Sequence, residues 1–213
     1  MPEQPVIVTR GEAVREVPPE QAAISVTVTA RDRDRDALLT RLAGRAAELR
    51  TVLDGYGEAI AKRETGSVQV YPDLKRGSER VVAYTGHVLT AVTVTDFVVL
   101  GDMLLRLAAL EQVSVSGPWW QLRPGSRAGA DVRREAIADA LARAREYADA
   151  VGARVERLIE ISDEVAGGVS PLMATRAFGG AAEDTGLRLD PQQQTVQASV
   201  LVRVAITEPD LGG

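Results

Sequence analysis

The chain has one histidine, His87, so a Ser-His-Asp relay or a histidine-bound metal would have to be built around it. Neither a G-x-S-x-G elbow nor an H-E-x-x-H helix accompanies it. It follows Gly86 in an alternating run, where a strand-edge side chain with a structural role is expected. Gly55-Tyr56-Gly57 has the first two glycines of a dinucleotide-binding turn, but a helix precedes it and Ile60 stands where the third glycine belongs. It reads as a helix stop. Arg31-Asp32-Arg33-Asp34-Arg35-Asp36 alternates in sign and sustains no positive field, so it reads as a solvated helix entry rather than an anion or RNA contact. The carboxylate pairs Asp163-Glu164 and Glu183-Asp184 have no partner that would shift them toward acid–base work, and they read as solubility charges. Trp119-Trp120 is the surface hint: neighbours on a strand point to opposite faces, so one indole can enter the core while the other faces out as a possible interface. No catalytic, cofactor-binding or metal-binding residue is assigned.

Composition narrows the classes further. The 213 residues include no cysteine, which excludes thiolate nucleophiles, disulfides and cysteine-bound zinc. A net charge of −5 disfavours non-specific binding to nucleic acid. No run approaches the roughly 18 apolar residues of a membrane helix, so membrane insertion is not expected. The opening Met1-Pro2-Glu3-Gln4-Pro5 has neither a basic leader nor an apolar stretch, and a cytoplasmic location is the expectation.

The elements that would hold these residues can be read from periodicity. Strands are expected at 6–14, 22–30, 68–71, 81–95, 113–122, 155–161 and 195–207. Val17-Pro18-Pro19 is a rigid turn that cannot continue a ladder. A first helix runs through Leu38, Leu42, Ala46, Leu49 and Leu53, capped by Asp34 or Asp36, and a second covers 97–110 with Asp96 as its cap. The third is the longest. Its apolar stripe passes through Ile137, Ala140, Leu141, Ala144, Tyr147, Ala148 and Val151, and Gly152 ends it.

From 22 to 122 the order is β-α-β-β-α-β, a split β-α-β unit, with strands at both ends and a third helix added. The expected fold is α+β: a largely antiparallel sheet with three α-helices packed mainly on one face. We read residues 1–213 as a single domain. The stretch 166–194, rich in Gly, Ala and Pro and without periodicity, is expected to be a mobile or functional loop.

The pieces in this order resemble the SIMPL-domain family, which includes periplasmic immunogenic proteins and oxidative-stress-linked bacterial homologues. The resemblance rests on Ile7-Val8-Thr9 to Gly11-Glu12, Val17-Pro18-Pro19-Glu20 with Ala22, and Ala83-Tyr84 ahead of Val92-Thr93-Val94-Thr95-Asp96. It continues through Leu100-Gly101, the segment from Arg134-Glu135-Ala136-Ile137 to Ala150-Val151-Gly152, and Thr195-Val196-Gln197-Ala198-Ser199-Val200. The family often has Pro-Gly-Glu before its last strand, where this chain has Pro191-Gln192-Gln193.

The resemblance implies no established catalytic residues, and some members resemble ring- or channel-like homo-oligomers. The expectation is therefore a non-enzymatic, self-associating scaffold or protein-interaction module without cofactors, linked through the family to stress. The alternative is a small-ligand-binding protein with the 166–194 loop as its lid.

Overall fold

The computed structural model describes residues 4–163 and 187–210. These residues form two compact units, each with its own antiparallel sheet and its own core. One unit is built from residues 19–123 and 187–192, the other from residues 4–18, 124–163 and 193–210.

In the first unit the elements are β2 (Gln21–Asp32), α1 (Arg35–Asp54), a short 3-10 turn (Gly57–Ala59), β3 (Ile60–Leu74), β4 (Val81–Val94), α2 (Leu100–Ala108) and β5 (Val113–Gln121). Their sheet order is β3-β4-β2-β5, so β4 lies between β2 and β3 and the expected split β-α-β arrangement is realised. Strict alternation on β2 sends Ala22, Ile24, Val26, Val28 and Ala30 inward. They meet Leu38, Leu42, Leu49 and Leu53 of α1 and Leu100, Met103, Leu104 and Leu107 of α2 in one core. Asp34 caps α1, its carboxylate accepting the Ala37 N–H at 2.8 Å. Asp96 does not cap the second helix as expected: it accepts the Val98 N–H at 2.9 Å in the preceding turn, and the helix begins three residues later than expected, at Leu100 with Val99 as its N-cap. Strand β3 is much longer than the expected 68–71. Its first half, Lys62-Arg63-Glu64-Thr65-Gly66-Ser67, is exposed at a sheet edge, so no buried side leaves an apolar alternation to read.

The second unit contains β1 (Val6–Val17), α3 (Ala128–Ala150), β6 (Val155–Asp163) and β7 (Gln194–Ile206), with sheet order β1-β7-β6. The end strands thus form a separate sheet rather than extending the first, a correction to the single layer expected from sequence. Pro18 and Pro19 interrupt the ladder after Val17, and β1 instead pairs with β7 in unbroken register from Val6↔Ala205 to Val17↔Gln194. The stripe on α3 also differs from expectation. Its buried side chains are Val132, Ala136, Ala140, Ala144 and Ala148, spaced by four, while Tyr147 is 56% exposed. A phenol on that ridge would hold the helix off the sheet; alanines let it settle. Gly152 closes the helix at φ +68°, as read from sequence, and the next residue, Ala153, donates its N–H to Ala148 O at 2.8 Å.

The close approach of α3 centres on Gly11 of β1. A Cβ there would overlap Ala136 O and Ala140 N and stand 2.7 Å from Ala140 Cβ. Beside it the buried Thr9 hydroxyl donates to Ala140 O at 2.8 Å. Gly11→Ala is expected to destabilise the protein by at least about 2 kcal/mol, because backbone atoms must move. Gly44→Ala, within α1 where an added Cβ meets nothing within 4 Å, is expected to stabilise it by about 0.5–1 kcal/mol. Chemical denaturation of the two variants would show these opposite signs; a neutral Gly11→Ala would refute the close packing.

Candidate interaction surface

Because α1 and α2 pack on the inward-facing side of the four-stranded sheet, the other side is lined by the alternate residues of each strand. On β2 these are Ala23, Ser25, Thr27, Thr29 and Arg31; the registers set Thr85, His87 and Leu89 of β4 and Trp119 of β5 beside them. No described helix of this unit lies on that side. It is a pleated surface of hydroxyls with one imidazole, one ion pair and two large aromatics, Tyr71 and Trp119.

His87 sits at its centre and bridges three strands. Its Nδ1 lies 3.0 Å from Thr29 Oγ1 on β2, and its Nε2 lies 2.8 Å from Tyr71 Oη on β3. The two rings are 5.6 Å apart and tilted. Hydroxyls donate or accept as needed, so the imidazole is held whichever nitrogen carries the proton. The structure therefore brings His87 together with a threonine and a tyrosine rather than with a carboxylate.

One row along, Arg31 Nε donates to Asp73 Oδ2 at 2.7 Å, and the Thr85 hydroxyl donates to the same oxygen at 3.0 Å. The hydrogen bond from Arg31 holds the Asp73 carboxyl below the usual carboxylate range, with Thr85 adding to the effect against some desolvation. Sequence reading took Arg31 as part of a solvated charge run and did not single out Asp73. Their encounter depends on the β2–β4–β3 registers, which local charge alternation does not contain. Elsewhere in the run, Asp32 pairs with Arg41 at 2.9 Å and Asp34 caps α1. These charges are spent on the fold.

The tryptophans divide as strand alternation requires. Trp120 enters the core edge-on to Phe97, with ring centroids 4.9 Å apart and planes at 81°. Trp119 stays 46% exposed beside the pleated surface. Of the Trp119 and Trp120 pair proposed as an interface, Trp119 alone presents its ring outward.

The remaining candidates resolve into structural parts. Gly55-Tyr56-Gly57 ends α1, and the Tyr56 hydroxyl donates to Asp102 Oδ2 at 2.8 Å. Burial first, then that carboxylate, pushes the phenol up to about 12. Asp163 ends β6; Glu164, Glu183 and Asp184 lie outside the described residues, as does most of the 166–194 loop. Among the described residues no three His, Asp or Glu side chains converge in a way that could hold a metal ion. A cleft of about 250 Å³ is lined by Leu53, Asp54, Gly57, Ile60, Ala61, Lys62 and Arg63, below the roughly 300–1,000 Å³ of ordinary ligand pockets. No helix among the described residues is long and apolar enough to cross a membrane.

The class defined by these features is an α+β protein whose described residues form two antiparallel sheets, one carrying a hydroxyl-lined face with an outward tryptophan. The chain belongs to the SIMPL family, described as proteins of unknown function (DUF541), whose profile matches residues 7–204. No curated protein matches it. Among solved structures it is similar to an uncharacterized protein from Thermotoga maritima at 18% identity and a TM-score of 0.25, over 46% of this chain and 98% of that one. It is also similar to a putative amidohydrolase/peptidase from Burkholderia cenocepacia at 14% identity and a TM-score of 0.31, over 56% of this chain and 31% of that one.

Arg31→Gln removes the main cause of the Asp73 shift, so the carboxyl is expected to titrate higher, toward the ordinary value near 3.9. A depressed folded-state value stabilises the fold above the ordinary carboxylate value, and that contribution fades as pH falls through the depressed one. Side-chain carboxyl NMR titration of both proteins checks this; an unmoved Asp73 would show that Arg31 is not its partner in solution.

Proposed function

We propose that the chain is a non-enzymatic, self-associating protein-interaction module. The observation that supports this most directly is the character of its sheet edges. An unpaired strand invites another chain, and folded proteins usually blunt it with bulges, proline or charge. Among the described residues, three of the four edge strands are interrupted: β3 and β6 shift register along their length, and β5 carries Pro118, which has no N–H to donate. Strand β1 has neither a bulge nor a proline: it runs twelve residues without a register shift, and the side away from α3 exposes Val6, Val8 and Val14 together with the oppositely charged Arg10 and Glu12. Such an edge suits association by strand addition.

Trp119 adds a second kind of contact, a rigid aromatic of the type enriched where proteins meet. A connection to stress rests on the family resemblance alone.

Light scattering after size exclusion tests the reading. At tens of micromolar the expected mass exceeds the 22.7 kDa of one chain. A clean monomer across that range would overturn it.

A further inference from the structure

We propose that β1 pairs with β1 of a second copy, antiparallel, about a two-fold axis through Gly11, joining two three-stranded sheets into one of six strands. This inference rests on the self-associating reading above and adds the surface, the partner and the register.

Backbone direction comes first. The Ile206 N–H donates to Pro5 O at 3.1 Å, and the register runs on from Val6↔Ala205, so the odd residues of β1 exchange backbone hydrogen bonds with β7. The even residues therefore turn their N–H and C=O groups toward the open edge. One contact corroborates this: the Glu12 N–H, an even position, is met by Asp139 Oδ2 of α3 at 3.0 Å. A second β1 must oppose even residues to even residues.

Side chains then select among the registers that satisfy this parity. The even side chains Val8, Arg10, Glu12 and Val14 share one exposed face. With the axis at Gly11, Arg10 stands opposite the second copy's Glu12 and Glu12 opposite its Arg10. Val8 stands opposite Val14 on both sides of them. Shifting the axis one residue toward Val6 sets Arg10 against Arg10; shifting it one residue the other way sets Glu12 against Glu12. Like charges directly opposite destabilise a strand pair, and opposite charges and paired β-branched residues stabilise it. Only the register centred on Gly11, of these three, is complementary.

Within one chain Arg10 Nε already lies 2.9 Å from Glu12 Oε1, two residues along the same face. Pairing places a second such couple against it in reverse order, so the four charges alternate around the axis. Two exposed valine pairs flank them, burying residues that are 50% and 63% exposed in the single chain. Glu12 N–H exchanges Asp139 for the carbonyl of the second copy's Arg10. Asp139 keeps its pairing with Arg143, 3.0 Å away. On the helix side, glycine meets glycine at the axis.

Charge reversal tests the register. Arg10→Glu alone and Glu12→Arg alone each place like charges opposite one another twice per interface, and dimer affinity by analytical ultracentrifugation is expected to fall about tenfold or more. The double variant Arg10→Glu/Glu12→Arg restores complementarity and is expected to regain it. A mixture of the two single variants is expected to form a heterodimer tighter than either alone. Circular dichroism of each variant confirms that the exposed changes leave the fold intact. Single reversals without effect, a double variant that stays weak, or a mixture that fails to pair would overturn the β1 register. If Trp119→Ala abolished association in their place, self-association would stand and this surface would fall. A monomeric unmodified chain would overturn both.

Discussion

The α3–β1 contact depends on small residues on both elements. Ala136, Ala140, Ala144 and Ala148 form a ridge with no side chain beyond Cβ, and Gly11 opposite them has none at all. The helix backbone comes close enough for Ala140 O to accept the Thr9 hydroxyl, so a buried polar side chain is satisfied by the helix itself. Close packing of this kind tolerates little adjustment, since interiors are as dense as organic crystals. It holds β1 at the margin of its sheet, with one backbone edge committed to β7 and the other directed outward.

The four-stranded sheet is organised on another principle. Leucines of two helices and the aliphatic row of β2 make a conventional core, and the reverse side is kept in order by polar contacts across strands. Thr29, His87 and Tyr71 form one such line and Arg31, Asp73 and Thr85 another. Each ties β2, β4 and β3 together. The lone histidine thus takes a place that two hydroxyls complete, which accounts for its presence on structural grounds. Trp119, at the β5 margin of the same surface, has no comparable tie and remains the outward ring there.

Much of this was legible before any coordinates. Alternation in β2 and β7, the leucines of α1, the Asp34 cap and the Gly152 stop all leave local signatures, because each depends on neighbours within a few residues. The opposite orientations of Trp119 and Trp120 follow from the same local geometry. What escaped was non-local or unsigned. The first half of β3 is polar on both sides and looks like a loop. Tyr147 fits a helical stripe by spacing, and only the sheet beneath α3 excludes it. Asp73 acquires its partner through strand registers that span dozens of residues.

Sequence alone determined the three helices, the strands apart from the first half of β3, which side of the alternating strands is apolar, and that the central six elements form a split β-α-β unit. Those properties arise from side-chain period and from capping chemistry, both confined to short windows. Tertiary structure decided that β1 leaves the neighbouring β2 to pair with β7, that two sheets form rather than one, and that alanines rather than Tyr147 face the strands. Alternation shows which side of a strand avoids water but carries no information on which strand lies beside it. That choice is made by prolines that break one ladder, by the unbroken register of another, and by how closely a helix can approach a glycine.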